Sequence, residues 1–524
     1  MNIPLLFFKR KELQETLCNM KKRKIEIMDT TLRDGEQTSG VSFSAAEKLT
    51  IAKFLLEELH VDRIEIASAR VSEGEFQAVK NITDWANNHG FINSVEVLTF
   101  VDGGQSINWM KKSGAKVQNL LTKGSLNHLT YQLKKTPEEH FHEIKETIES
   151  AKKEGIATNV YLEDWSNGMR NSPEYVFQYL AFLATQPIAR ILLPDTLGIL
   201  TPAETYQYFS KITAKYPDLH FDFHAHNDYD LSVANVMEAI NAGAKGLHIT
   251  VNGMGERAGN APLASVVAVI NDFYKNEVEI SVKETSLYAA SKLIEVFSGI
   301  RVPANKPITG ENVFTQTAGI HADGDNKNNL YFNDLLPERF GRKRTYALGK
   351  TSGKANIKKN LQDLGLELNE EDLKKVTRRI IELGDKKESV SKEDLPYIIS
   401  DVLNSNLYEE KIIIDSYVLT HSKGLRPSTT MAIKIDGKLY EEHAYGDGQF
   451  DAFMNAIGKL YKRKKMLLPK LVDYAVRIPP GSTSDALCET IITWEAGDKR
   501  FITRGLDSDQ TVSAIKATQK MLNI

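Results

Sequence analysis

Cysteine is nearly absent from this sequence, since its 524 residues contain two, Cys18 and Cys488. Two cysteines so far apart cannot build the disulfide framework of a small secreted domain. An excess of positive charge is also missing, because the net charge is −3 at pH 7. Nucleic-acid-binding proteins usually show a basic excess on some domain. We therefore expect a protein of the reducing cytoplasm with no nucleic-acid partner.

Long apolar runs are missing as well. No segment approaches the roughly 18–20 apolar residues that a membrane-spanning helix needs, so we expect no membrane partner. The apolar run within residues 1–10 is short, and its positive charges follow it, whereas those of a signal peptide come first. We expect residues 1–22 to be an extension outside the fold, with Met20 as an alternative start.

The chain otherwise has the composition of an ordinary globular protein, with 41% hydrophobic and 26% charged residues. A length of 524 residues is too great for one compact core and predicts two or three domains. From residue 24 a pattern recurs, in which a short apolar run is followed by a polar loop and a longer segment of helical period. Eight such runs occur, at residues 25–28, 63–67, 94–101, 117–121, 158–162, 191–194, 220–224 and 246–251.

Eight strands that alternate with helices over roughly 250 residues predict an α/β fold, the (β/α)8 TIM barrel, here at residues 23–295. An open doubly wound sheet is the alternative, although such a sheet rarely needs eight unbroken units. The barrel predicts that catalytic residues cluster just after the C-terminal ends of the strands. Beyond it we expect helical linker subdomains at residues 296–390 and a small α/β domain at residues 391–524.

The first predicted strand is followed by Arg33 and Asp34, in a loop that carries more charge than a plain turn needs. One interpretation is a solvated turn that contains an ion pair. The other is a site in which the carboxylate binds a metal and the guanidinium binds an oxyanion.

His224 and His226, at the end of the seventh predicted strand, favour the second interpretation. Residues two apart in a strand point to the same side, about 6–7 Å apart, so both imidazoles can reach one cation. With Asp34 they complete a 2-His-1-carboxylate set that leaves positions open for substrate and water. We therefore expect Arg33 to face the substrate and not to pair with Asp34. The set suits Zn, Mn, Co or Mg, and the sequence does not choose among these metals.

Three further polar residues are candidates for the site. Glu163, at the end of the fifth strand, and His321 are each either a proton-transfer group or a surface group. Thr196 either hydrogen-bonds a carboxylate or caps the next helix. Residues 253–258 have the Gly-x-Gly-x-x-Ala pattern of a dinucleotide-binding fingerprint. They follow the last barrel strand, however, and no further βαβ unit comes after them, so a tight turn over the metal site is the better interpretation.

Two segments resemble the signatures of the α-isopropylmalate, homocitrate and citramalate synthase family. Residues 32–37, Leu-Arg-Asp-Gly-Glu-Gln, with Lys48 are similar to the first signature. Residues 224–228, His-Ala-His-Asn-Asp, and residues 252–260 are similar to the second. The similarity extends from about residue 24 to 524. Asp230 departs from it, because most isopropylmalate-forming members carry Gly there.

Finer features, such as Tyr161-Leu-Glu-Asp-Trp-Ser-Asn-Gly168, are most similar to the members of the family that form citramalate. That resemblance implies condensation of pyruvate with acetyl-CoA to give citramalate and free CoA, the entry to isoleucine by a threonine-independent route. It implies a divalent metal on Asp34, His224 and His226. The further roles it implies are keto-acid binding by Arg33, Asp34, Tyr161 and Thr196, proton transfer by Glu163 and His321, and acetyl-CoA binding by Asp323, Asn329, Leu330 and Tyr331.

Leu98 and Leu121 lie at the ends of the third and fourth predicted strands. In the similar enzymes, residues at these positions form the wall of the pocket for the keto-acid side chain. Two leucines should leave room for the methyl group of pyruvate and crowd the isopropyl group of 2-oxoisovalerate. The discrimination available from a methylene or two is about 1–3 kcal/mol. The alternative is that both side chains simply pack the top of the barrel.

The resemblance also implies an allosteric regulatory domain at the C-terminus, with isoleucine as the effector. Phe450, Leu471 and Ser484 fall where its binding site should lie. Because His321 lies outside the predicted barrel, supply of this residue by a partner subunit would require an oligomer, and we expect a homodimer.

Three alternatives remain open. The nearest is 2-isopropylmalate synthase, which performs the same chemistry on 2-oxoisovalerate and takes leucine as effector. A related acyl-CoA lyase would cleave the corresponding bond, but that group uses a cysteine in a late barrel loop, and residues 252–260 contain none. A metal-storing or purely regulatory module would require an incomplete site.

Overall fold

A computed structural model describes residues 22–317, 330, 333–385, 390, 392–403, 411–477, 488–497 and 499–524. These residues form two compact units. The first comprises the described residues as far as Phe314 together with residues 333–343, and the second comprises those of 315–332 and 344–524. In the described part of the chain, no helix has the length and apolar character needed to cross a membrane.

Eight parallel strands close into a barrel in the first unit, each paired with its neighbour in chain order. The last strand pairs with the first, so no edge remains open. Each predicted strand overlaps an observed one, which confirms the TIM barrel and excludes the open sheet. The strands are β1 Glu26–Asp29, β2 Arg63–Ser68, β3 Val95–Phe100, β4 Val117–Lys123, β5 Ala157–Glu163, β6 Arg190–Asp195, β7 Phe221–Ala225 and β8 Gly246–Ile249.

Helices surround the barrel and begin where the sequence carries capping residues. Ser44 accepts a hydrogen bond from the backbone of Glu47, whose side chain accepts from the Ser44 backbone, and this capping box starts the first helix. Thr136 and Thr201 form equivalent boxes before proline. The helices are α1 Ala45–Lys53, α2 Glu73–His89, α3 Gln105–Ser113, α4 Pro137–Lys153, α5 Trp165–Asn171, α6 Pro173–Leu183, α7 Pro202–Lys215, α8 Ser232–Asn241, α9 Leu263–Phe273 and α10 Leu287–Ser298.

The interior of the barrel is charged as well as apolar. Arg63 on β2 is buried and forms ion pairs with Glu96 on β3 (3.0 Å) and with Asp222 on β7. Burying charges in this way is costly unless they are paired. Arg63 begins β2, and Glu96 and Asp222 are the second residues of β3 and β7, so these pairs form a buried polar layer near the N-terminal ends of the strands.

The second unit contains a helical part and a mixed part. The helical part consists of α11 Lys354–Asp363, α12 Glu370–Asp385 and α13 Leu395–Leu403, whose buried apolar residues form one cluster. In the mixed part, two three-stranded antiparallel sheets share a core with two helices. Its elements are β9 Ile412–Thr420, β10 Ser428–Ile435, β11 Lys438–Tyr445, α14 Gln449–Lys464, β12 Lys470–Arg477, β13 Cys488–Ala496, β14 Lys499–Asp507 and α15 Gln510–Met521.

Candidate active site

The predicted barrel residues meet at one cavity. It has a volume of about 170 Å³ and lies where the C-terminal ends of the strands converge. A TIM barrel carries its reactive groups at this end. The lining includes nine of the residues singled out from the sequence: Arg33, Asp34, Leu98, Leu121, Tyr161, Glu163, Thr196, His224 and His226.

Asp34, His224 and His226 form the polar centre of the cavity. One ligand atom of each lies within 4.8 Å of the others, and all three residues are buried. The Nε2 atoms of His224 and His226 lie 3.4 and 3.9 Å from the same oxygen of Asp34, Oδ2. The strand geometry that puts i and i+2 on one side thus brings both imidazoles to one carboxylate.

The chemical state of this trio fits a divalent metal. Burial, with a contribution from the neighbouring His224, lowers the pKa of His226 to about 4, so its imidazole is neutral as a ligand must be. Burial alone would raise the pKa of Asp34, but Arg33 and the two histidines hold it below its ordinary value. Asp34 Oδ1 is buried and has no hydrogen-bond partner among the described residues. A buried carboxylate oxygen without a partner is costly, and a cation would satisfy it.

Asn260 is a site residue that the sequence analysis did not single out. Its Nδ2 donates to the Met254 carbonyl at 2.9 Å, while its buried Oδ1 finds no partner in the described part of the chain. A backbone bridge pairs Asn260 with His226. An amide oxygen is a suitable ligand for a hard cation, so Asn260 is a candidate to extend the donor set.

Arg33 is more constrained than the sequence suggests. We expected it to face the substrate without pairing to Asp34, and the structure differs. Its Nη1 donates to Asp34 at 3.0 Å, and its Nε donates to the buried Glu65 at 2.6 Å. Glu65 also accepts from Asn119 at 2.7 Å. The planar guanidinium can bind both carboxylates while it still lines the cavity.

Tyr161 turns its hydroxyl group away from the rim. Burial lowers the pKa of His248 to about 3, so its imidazole is neutral, and its Nε2 lies 3.0 Å from the Asp222 carboxylate. Because a carboxylate can only accept, Nε2 carries the hydrogen and Nδ1 is the acceptor. The Tyr161 hydroxyl therefore donates to Nδ1, at 2.9 Å. What Tyr161 presents to the cavity is its ring.

An apolar wall stands beside the polar centre. Leu98, Tyr161, Met28 and Leu192 form a separate buried cluster, against which the partly buried Leu121 packs. Leu98 and Leu121 both line the cavity and both belong to this packing. The two interpretations of these leucines are therefore compatible.

Glu163 and Thr196 have defined partners. The Glu163 carboxylate forms an ion pair with Lys123. Thr196 Oγ1 accepts from the backbone N–H of Asp164 at 2.9 Å, whereas Thr201 caps α7. The capping alternative for Thr196 is therefore wrong.

The tight turn that we expected at residues 253–258 is present and extends over residues 252–260. Asn252, Gly253, Arg257 and Gly259 all have φ between 57° and 80°. A Cβ atom on Gly255, whose φ is 149°, would lie 3.1 Å from Asp34 Oδ1. The glycine thus lets the backbone pass close to the metal trio.

Comparisons with known proteins agree with this architecture. Three family descriptions match in succession: HMGL-like over residues 24–294, homocitrate synthase post-HMGL domain-like over 308–388, and LeuA allosteric (dimerisation) domain over 389–524. A protein of Methanocaldococcus jannaschii named (R)-citramalate synthase is 34% identical over 502 residues, which cover 95% of this chain and 99% of that protein. The chain belongs to the citramalate and 2-isopropylmalate synthase family. A 2-isopropylmalate synthase of the same organism is 32% identical over 510 residues, with 95% and 94% covered. These identities are too close to separate the two activities.

Lys48, which accompanies residues 32–37 in the first family signature, is a buried lysine. Lys48 on α1 is fully buried, and its Nζ lies 2.6 Å from carboxylate oxygens of both Glu36 and Glu75. The same ammonium donates to the carbonyl of Leu32 at 3.2 Å. Lys48 thus holds the turn that carries Arg33 and Asp34.

Leu330, Phe450 and Leu471 are the described residues among those that we assigned to acetyl-CoA and the effector, and all three belong to the second unit. His321, Asp323, Asn329, Tyr331 and Ser484 lie outside the described residues. Leu330 is 66% exposed. Phe450, at the start of α14, packs against the rings of Phe453 and Tyr474, and Leu471 on β12 is 38% exposed.

Proposed function

We propose that this synthase condenses pyruvate with acetyl-CoA and water to give (R)-citramalate and CoA, the first step of a threonine-independent route to isoleucine. The observation that carries the proposal is the cavity, which combines a metal-binding trio and a guanidinium with an apolar wall of two leucines. A relative named (R)-citramalate synthase that aligns over nearly the whole chain supports it.

The chain's own residues supply binding, orientation and proton transfer. Asp34, His224 and His226 would hold a divalent cation (Mn, Zn, Co or Mg). When bound, it contributes Lewis acidity toward the keto-acid carbonyl. Arg33 lines the same cavity and offsets the negative charge that the reaction develops there.

Proton transfer is assigned to Glu163 and His321. The methyl group of acetyl-CoA is a weak acid, so it needs a positioned base. Glu163 takes a methyl proton, the methyl carbon bonds to the keto carbon of pyruvate, and His321 gives a proton to the carbonyl oxygen. Water then cleaves the thioester and releases CoA, which makes the overall reaction irreversible.

Selection of pyruvate is assigned to Leu98, Leu121 and the ring of Tyr161. All three residues line the cavity and pack in one apolar cluster, and we assign the space beside them to the keto-acid side chain. A methyl group fits such a space more easily than an isopropyl group, and the difference is about 1–3 kcal/mol.

The experiment is a measurement of CoA release by thiol detection across a panel of keto acids. We expect the highest kcat/KM with pyruvate and a lower value with 2-oxoisovalerate. Equal or reversed preference would reject the citramalate assignment. The second candidate, 2-isopropylmalate synthase, is favoured by the relative of that name at 32% identity, and reversed preference would select it.

We also propose that the C-terminal domain is regulatory and that isoleucine is its effector. The match to a LeuA allosteric (dimerisation) domain over residues 389–524 supports regulation and a homodimer. We propose a cytoplasmic location because the chain has only two cysteines, far apart in the sequence. Phe450 and Leu471 are the described residues assigned to the effector. Adding isoleucine or leucine to the CoA-release assay tests which amino acid inhibits.

A further inference from the structure

Lys123 and Glu163 lie side by side at the C-terminal ends of β4 and β5. The two residues are direct partners in the parallel pairing of these strands. Their side chains form an ion pair, and they are 10% and 25% exposed respectively. Neither side chain has a second hydrogen-bonding partner among the residues that the structure describes. A lysine so buried requires a compensating charge, and Glu163 is the one that the strands bring to it.

The backbone of Lys123 is fixed on both sides by buried groups. Its N–H donates to Nε2 of His140 at 3.3 Å, and its carbonyl accepts from the Tyr175 hydroxyl at 2.8 Å. Burial lowers the pKa of His140 to about 4, so the imidazole is neutral and able to accept. These two hydrogen bonds fix the backbone of Lys123 and therefore the direction in which its side chain extends from β4.

The backbone of Glu163 is fixed as well. Gly124 N donates to the Glu163 carbonyl at 2.6 Å. A Cβ atom on Gly124 would lie 2.5 Å from the Leu162 carbonyl oxygen, and one on Gly168 of α5 would overlap the Gly124 carbonyl. The backbones that follow the two strand ends are thus in close contact, and neither Gly124 nor Gly168 leaves room for a side chain between them.

We propose that Lys123 is a positioning residue for Glu163. Its ammonium group binds one carboxylate oxygen, Oε2, and so holds the side chain with Oε1 as the oxygen that takes the proton. The proposal rests on the proposed function, in which Glu163 is the base. Lys123 itself does not line the cavity described above, so its effect on turnover passes through the carboxylate.

A double-mutant cycle tests this role, with Lys123→Met, Glu163→Gln and the double variant measured by CoA release. We expect Lys123→Met to lower kcat about 10–100-fold, as loss of an orienting partner does, with KM for the keto acid within about twofold of wild type. In the double variant we expect no loss beyond that of Glu163→Gln alone, because Lys123 then has nothing to position. Lys123→Arg should restore most of the activity.

The matched control is Lys135→Met. Lys135 is ion-paired with Glu143 and lines a neighbouring cavity that also contains Lys123, and we expect this variant to keep wild-type kcat. The inference would be overturned if the kcat losses of the two single variants added up in the double variant. It would also be overturned if the loss in Lys123→Met were explained by a lowered melting temperature of that variant. Full activity in Glu163→Gln would overturn it as well.

The cycle is run with whichever keto acid the wild type turns over. If pyruvate proves not to be the preferred keto acid, the proposed substrate is rejected, and the test of Lys123 can still be carried out.

Discussion

Asp34 is the residue on which the polar centre depends. One of its oxygens faces Arg33 and both histidines, and the other has no partner among the described groups. We predict that Asp34→Ala loses bound metal, because the variant lacks the one anionic ligand of the trio and only the two imidazoles remain. Arg33→Lys should keep the metal and lose turnover by about 100-fold, because lysine cannot reproduce the planar fork. Metal content by atomic spectroscopy and CoA release measure the two effects. Metal retained in Asp34→Ala at the wild-type level would contradict the assignment.

Leu98 and Leu121 carry the prediction about specificity. Shortening either to alanine should widen the apolar end of the cavity. We predict that Leu98→Ala and Leu121→Ala each raise the kcat/KM ratio of 2-oxoisovalerate to pyruvate about 10-fold or more, within the range that one or two methylenes provide. Leu197→Ala is the control, since Leu197 follows β6 but is 44% exposed and is not part of the cavity lining. An unchanged ratio in both cavity variants would mean that the leucines only pack the barrel.

At the scale of elements, the contact between α5 and the end of β4 is a point where no side chain fits. A Cβ atom on Gly168 would overlap the Gly124 carbonyl and would approach Val176 Cγ2 to 2.9 Å. We predict that Gly168→Ala destabilises the barrel by about 1–3 kcal/mol, as overpacking does. Gly74→Ala is the matched control, because Gly74 lies in α2 with its nearest neighbour at 3.7 Å. Urea unfolding measures both, and equal stability of the two variants would contradict the prediction.

Most barrel elements were predictable from the sequence because their strands are apolar and three of their helices begin with a capping box. Other elements lack such signals. β11 has the sequence Lys-Leu-Tyr-Glu-Glu-His-Ala-Tyr, in which apolar and polar residues do not alternate. Its less exposed positions do alternate, but they are Tyr440, Glu442 and Ala444, and only Ala444 is fully buried. α5 is only seven residues long and contains Gly168, and a segment of that length is too short to show a helical period.

The site was predictable to the extent that barrel topology brings strand ends together. Arg33, Asp34, His224 and His226 could be placed on one rim because each follows or ends a strand. The roles of Asn260, His248 and Lys123 could not be predicted, because they depend on contacts between different strands and loops of the folded barrel. A histidine inside a buried strand, such as His248, is more often structural, and only its contact with Tyr161 links it to the cavity.

At the scale of the whole molecule, the central question about the C-terminal domain is what it senses. We predict that Leu471→Ala and Phe450→Ala in the full chain raise the isoleucine concentration for half-inhibition about 10-fold and leave uninhibited kcat unchanged. The physical reason is loss of apolar contact with the effector side chain. Leu506→Ala, at a residue of β14 that is 40% exposed, is the control. Isoleucine dose–response curves that coincide for all variants would reject the assigned effector site.

The most direct test of the account is a competition between pyruvate and 2-oxoisovalerate in one reaction. Equal concentrations of both keto acids are incubated with limiting acetyl-CoA and the metal-loaded full-length protein, and the products are separated and quantified. The product ratio gives the ratio of the two kcat/KM values. We expect citramalate to exceed 2-isopropylmalate at least about 10-fold, as discrimination by one or two methylenes allows. Equal amounts, or an excess of 2-isopropylmalate, would contradict it.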